Sequence, residues 1–240
     1  MIRHISLCAV AAVTSLLIAA PAARADIVIP AVDLDVLEAT GMLGDLVAGP
    51  VTDDFLTPPD PSTDIGDLTN TVFFSSGTAT TGPVFTYVHE VTPSVFNVSE
   101  FNTGFDLNDR GFNLIAGFSF SDALAAGGTG TLADFTITWN NDTDGTLDWE
   151  ATLPILEFFD AGETIRFFFQ STQPPSAGEF FDYNIINSEV GTAQSFGPSV
   201  IPTPAALPAG LIGMALLALT GRRRRYRTAP IVRSPEALTP

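Results

Sequence analysis

ADFTITWNNDTDGTLDWEATL, residues 133–153, consists of two alternating apolar and polar runs joined by a turn-rich centre. Phe135, Ile137 and Trp139 share one face of the first run, and Leu147, Trp149, Ala151 and Leu153 share one face of the second. Side chains of a β-strand alternate with a period of two, so each run reads as a strand with one side in a core. Asp144-Gly145 between them is turn chemistry, and the whole stretch predicts a β-hairpin.

Working outward, similar short runs recur at intervals of about ten residues. LTNTVFFS (68–75), PVFTYVHEVT (83–92), VFNVSEF (95–101) and FNLIAGFSF (112–120) precede the hairpin, and ETIRFFFQ (163–170) and FDYNIIN (181–187) follow it. Phe85, Tyr87, His89 and Val91 again fall on one face. With no long helical pattern among them, eight such strands predict an all-β domain over residues 68–200, an antiparallel β-sandwich or jelly-roll-like fold. Residues 26–67 read as an amino-terminal arm and linker. They hold a short helix within DLDVLEATGMLGDLV (33–47) and then the turn-rich GPVTDDFLTPPDPSTDIGD.

Charge narrows the function classes. The 240-residue chain has a formal net charge of −17, and its ten basic residues are all arginine. Eight of those lie near the ends, so only Arg110 and Arg166 stand against 26 carboxylates between Asp26 and Ile201. Such a field repels phosphate backbones and excludes nucleic acid as a partner. It attracts divalent cations, and Asn140, Asp142 and Asp144 followed by Gly145 have the one, three, five, six spacing of a calcium loop. Position twelve of that loop is Ala151 rather than a carboxylate, and strands flank it, so the hairpin is the favoured reading and calcium the secondary one.

Catalytic chemistry finds few candidates. Beyond residue 25 there is no cysteine and no lysine, and His89 is the one histidine, placed in an alternating strand where packing at the sheet surface is expected rather than general-base work. No Gly-x-Ser-x-Gly turn is present, and histidine-rich zinc sites are excluded by count. Paired carboxylates for glycoside hydrolysis cannot be picked out among so many acids. Exposed tryptophans and tyrosines on one sheet face would instead favour sugar binding, with Trp139 and Trp149 as the leading candidates.

The ends carry targeting information. MIRHISLCAVAAVTSLLIAAPAARA has a basic start, an apolar stretch and the small-x-small pattern Ala23-Arg24-Ala25, so residues 1–25 read as a secretory signal peptide cleaved before Asp26. Near the other end, AALPAGLIGMALLALTG (205–221) is a charge-free run. As a helix of about 1.5 Å per residue it is just long enough to span a bilayer. Arg222, Arg223, Arg224 and Arg225 follow at once and, by the positive-inside rule, hold residues 226–240 in the cytoplasm and the acidic domain outside. Before the run, Pro202 and Pro204 keep Ile201-Pro202-Thr203-Pro204-Ala205 extended and readable by a processing enzyme.

Taken together, residues 201–225 resemble the PEP-CTERM family of sorting signals, in the variant that reads Val-Pro-x-Pro-Ala before a transmembrane helix and an arginine cluster. Ile201 stands where that variant has valine, and the tail after the arginines is longer than the family's usual few residues. The resemblance implies export in a Gram-negative bacterium, recognition by an exosortase-type transpeptidase, and a final place at the cell surface or in the extracellular matrix, in association with exopolysaccharide or biofilm. Leu207-Pro208-Ala209-Gly210 also resembles a sortase signal, without its threonine, and a plain single-span anchor is the third alternative. For the exported domain the leading expectation is a non-catalytic surface protein. The alternative is a carbohydrate-binding module or surface glycosidase.

Overall fold

The computed structural model describes residues 26–58, 63–77, 82–141, 144–152 and 159–201. Among them twelve strands and two short helices follow in the order β1 (Ile27–Ile29), β2 (Val32–Asp33), α1 (Leu34–Ala39), β3 (Asp45–Leu56), β4 (Asp64–Ser75), β5 (Val84–Pro93), β6 (Glu100–Thr103), β7 (Phe112–Phe118), α2 (Phe120–Ala125), β8 (Phe135–Trp139), β9 (Leu147–Ala151), β10 (Ile165–Ser171), β11 (Phe181–Ile186) and β12 (Val190–Ser195). The fold is mostly β, and the strands form one mixed sheet in the order β1-β8-β9-β6-β11-β12-β3-β4-β5-β10-β7-β2. Pairing is antiparallel throughout except for β2 on β7.

That sheet curls back on itself. The two halves meet at a single register pair, Thr192 with Leu56, while β1 and β2, the strands at opposite ends of the order, are separated by only Pro30 and Ala31 in the chain. Phe118 of β7 and Phe135 of β8, near the two ends, come within 4.9 Å ring to ring. The Trp149 Nε1–H on β9 likewise donates to the Gly117 carbonyl of β7 at 3.0 Å. Curling therefore brings the inner faces of the halves together, and the core between them is largely aromatic: Phe101, Trp149, Phe167, Phe169, Tyr87 and Tyr183 are fully buried. At about 1.5–3 kcal/mol for each large buried side chain, this layer dominates the stability of the fold.

The alternation read from residues 133–153 is seen directly. Phe135, Ile137, Leu147 and Trp149 point into the core, and Trp139 packs half-buried against Phe112. β8 and β9 form the expected hairpin with Trp139 opposite Leu147, but its loop runs from Asn140 to Thr146 rather than centring on Asp144-Gly145. Leu153 lies outside the described residues.

The arm-and-linker reading of residues 26–67 is corrected. They supply β1, β2, α1, β3 and the start of β4, and the compact unit described here ends at Ser199. The helix is six residues long, capped by Asp33, whose carboxylate accepts from the Asp35 N–H at 3.0 Å, and the chain then enters β3. β3 escaped the pattern because Gly49-Pro50 interrupts it. The register against β4 shifts there, and a Cβ on Gly49 would lie 2.5 Å from the Asn70 carbonyl oxygen, so the interruption is a bulge inside a strand. α1 and the outer face of β5 and β10 enclose a second small core of Leu34, Leu37, Leu43, Val88 and Phe168.

Arg166 of β10 secures both helices. It pairs with Asp35 at 3.1 Å and with Glu38 on α1, and with Asp122 on α2 at 2.7 Å. Asp134 organises the connection Gly127–Thr131. Its buried carboxylate accepts from the backbone N–H groups of Thr129, Gly130 and Thr131 and from the Thr129 hydroxyl.

Candidate polar cleft on the outer face

On the outer side of the β8-β9-β6-β11-β12 half, the same alternation that buries the aromatics presents a polar row. Thr138, Asp148, Asn102, Asn184 and Thr192 stand opposite one another in successive strands. Their hydrogen bonds run in one direction: the Thr192 hydroxyl donates to Asn184 at 2.8 Å, the Asn184 amide to Asn102 at 2.9 Å, and the Asn102 amide to the Glu100 carboxylate at 2.6 Å. Each donor is thereby oriented, and the chain of dipoles ends on an acid.

Two loops stand over this row and make a cleft of about 410 Å³. One carries Gly104, Phe105 and Asp106 after β6, and the other is the hairpin loop with Asn140, Asp144 and Thr146. Gly145 locks them together. Its carbonyl accepts from the Leu107 N–H at 3.0 Å, and a Cβ there would lie 1.9 Å from Asp106 Oδ1 at a backbone φ of +73°, which only glycine tolerates.

The lining contains four carboxylates, Glu100, Asp106, Asp144 and Asp148, with three asparagines and no basic residue. Burial raises Asp148 to about 6, the charge of Glu100 adds to this, and hydrogen bonds from Asn140 and Thr146 offset part of it. Glu100 is raised for the same first reason, burial, with Asn102 opposing and Glu150 adding. The cleft is thus an acceptor-rich surface with a negative field, chemically suited to hydroxyl and amine donors rather than anions.

The residues singled out from sequence fall in different places. Asn140 and Asp144 both line the cleft and meet on one hydroxyl: the Asn140 amide donates to Asp148 and, at 3.0 Å, to Thr146, and Asp144 accepts from the Thr146 hydroxyl at 2.9 Å. Asp142 lies outside the described residues. Among the described residues the three carboxylates that do converge, with oxygens within 4.8 Å of one another, are Asp54, Asp64 and Asp67 on the β3–β4 hairpin, all exposed. Burial, then Asp64 and Asp54, raise Asp67.

His89 is corrected from the sheet surface to the centre of the core. It is fully buried, with ring centroids at 4.5 Å from Tyr183 and 5.5 Å from Phe169, and neither ring nitrogen has a hydrogen-bond partner. Burial alone lowers it to about 3, so it is neutral and out of reach of any substrate. Trp149 is buried and offers no stacking face to a sugar ring, while Trp139 is half-buried with its N–H on the Gly145 carbonyl at 3.3 Å and its ring edge-to-face with Phe112. Phe105, half-buried at the cleft wall, is the aromatic that does reach it.

Asp26 and Ile201 are exposed at the two ends of the described chain. Ala23, Ala25, Pro202, Thr203, Pro204, Ala205 and Arg222 to Arg225 lie outside the described residues. No helix among the described residues is long and apolar enough to cross a membrane. Glu100, Asn102 and Asn184 do not read as a group from sequence, because Asn184 lies 82 positions from Asn102 and only the pairing of β6 with β11 unites them. No family model, curated protein or solved structure matches the chain.

Proposed function

We propose that this is an exported, acidic, non-catalytic surface or matrix protein, sorted by the PEP-CTERM-like segment at 201–225 and processed by an exosortase-type enzyme, whose β domain holds extracellular polysaccharide in the outer cleft. The observation that carries the domain's part of this reading is the cleft itself: oriented amides, hydroxyls and carboxylates in a volume within the range of about 300–1,000 Å³ usual for small-ligand sites, with no basic lining group. Sugar hydroxyls are donors that suit such acceptors. Uronic or sulfated glycans are repelled by the four carboxylates, so the ligand class is a neutral or amine-bearing glycan. The facing halves of the curled sheet support a sandwich of the jelly-roll kind as its scaffold.

Hydrolysis by Glu100 and Asp148 is the second reading, favoured by the upward shift of both acids within one cleft. Retention of the purified protein on a panel of neutral, uronic and amino glycans, together with assay for released reducing ends, separates the two. Retention without release, weakened by Asn184→Ala, supports the binder; release of reducing ends establishes the hydrolase, and neither retention nor release on any glycan ends both. The sorting part is tested by mass spectrometry of the carboxy terminus from surface, membrane and culture fluid. Loss of everything beyond the Pro202–Ala205 region supports processing, whereas an intact terminus at Pro240 found only in membranes makes the segment a plain anchor.

A further inference from the structure

After β12 the chain does not leave the domain at once. Phe196, Gly197, Pro198 and Ser199 run beside Pro174–Ser176, with Pro198 bridged to Pro175. Every carbonyl from Phe196 to Pro198 is taken. That of Phe196 accepts from the Tyr183 hydroxyl at 2.6 Å and the Asn70 amide at 3.1 Å, that of Gly197 from the Ser176 N–H at 2.9 Å, and that of Pro198 from the Arg110 guanidinium. The Ser199 N–H donates to the Pro174 carbonyl at 2.9 Å. Arg110 is itself held in place, its guanidinium 4.4 Å from the Phe181 ring centroid and its Nε–H on the Asp106 carbonyl. Gly197 fits flush on the same ring, where a Cβ would come within 2.5 Å. Gly197 and Pro198 are buried, and the next apolar side chains, Val200 and Ile201, are exposed at 56% and 45%.

Enzymes that cut or transfer peptide bonds capture substrate as an extended strand through its main-chain N–H and C=O groups. We propose that the Arg110 bracket is a processing stop: it closes the backbone to capture up to Ser199, so that the first recognisable substrate residue is Val200 and the domain keeps its last strand after the carboxy-terminal segment is removed. This rests on the reading that the segment is processed, but the protection itself is a property of the folded domain and is measured separately.

The test is native-state digestion of the full chain in detergent with a broad-specificity endoprotease, the fragment ends read by mass spectrometry over time. Domain fragments ending at Val200 or beyond are expected first. In Arg110→Ala, cutting within Phe196–Ser199 should rise at least tenfold, with Arg110→Lys between the two, because lysine retains the charge and loses the planar fork. Tyr183→Phe, which keeps the ring and removes only the hydroxyl bond to Phe196, should raise the same cuts. If Arg110→Ala unfolds outright, cuts spread through the whole domain and the Tyr183→Phe comparison decides. Wild-type cleavage inside Phe196–Ser199 as fast as beyond Val200, or no change in Tyr183→Phe, overturns the stop. In cells, a mature terminus before Ser199 overturns it as well, whereas an intact Pro240 with protection preserved in the digest sinks the sorting reading alone.

Discussion

Asp148 and Trp149 are neighbours in β9, yet one sits in the acceptor-rich cleft and the other in the aromatic core, a separation made by one step of strand alternation. Each region also contains a titratable group whose charged form burial disfavours, Asp148 outside and His89 inside. Because one is an acid and the other a base, the same physical cause gives opposite dependence on pH. The core loses stability as pH falls, and the cleft is relieved by the same change.

The largest expected effect is on the core side. The folded protein holds His89 near 3 against 6.5 in the unfolded chain, so its contribution is fully present above about 6.5 and drains away as pH falls toward 3. At 1.36 kcal/mol per unit the ceiling is about 5 kcal/mol. Denaturant melts from pH 7.5 to 3.5 should show this slope, and His89→Leu should flatten it by removing the group that the unfolded chain protonates. A profile for the leucine variant that parallels wild type would break the comparison.

Trp149→Ala comes next, at about 3–5 kcal/mol, because it opens a cavity among Phe101 and Phe167 and strips the Gly117 carbonyl of its donor. Urea unfolding followed by circular dichroism measures it. On the cleft side the sign reverses. Asp148→Asn removes a carboxylate whose folded-state value lies above its unfolded one, so stability should rise at pH 7–8 by roughly 1 kcal/mol after discounting for solvent screening, with no gain below pH 4. Smallest is Asn184→Ala. It interrupts the outer relay for about 0.5–1 kcal/mol of stability while reducing glycan retention in a column assay. Retention of an amine-bearing glycan should also strengthen as pH rises through 6, when Asp148 ionises.

The strands that bury apolar residues on a strict alternation were legible, since a period of two reports burial on one face whatever the partner. All eight runs contain a strand, although VFNVSEF contributes only its last two residues to β6. β12, VGTAQS, was not legible because its inward positions are small, Gly191, Ala193 and Ser195, and carry no apolar signal. α2 is too short for a helical period to register, and it depends on the Ser119 hydroxyl, which accepts from the Asp122 N–H, to start it. The cleft was half legible. Asn140 and Asp144 stood out by spacing, but Glu100, Asn102 and Asn184 look like ordinary polar positions until their strands are paired.

Composition and alternation by themselves determined that this chain is β-rich, strongly acidic and, beyond residue 25, without cysteine or lysine and with one histidine, because charge count and side-chain period are local properties that need no partner. Which strands pair, that the sheet curls until β7 and β8 share a core, that His89 lies inside it and that Asn70, Arg110 and Tyr183 converge on the segment just after β12 were decided only in three dimensions. Those arrangements depend on contacts between residues far apart in the chain, as with Asn70 and Phe196, 126 positions apart. Such pairings leave no period for a single sequence to display.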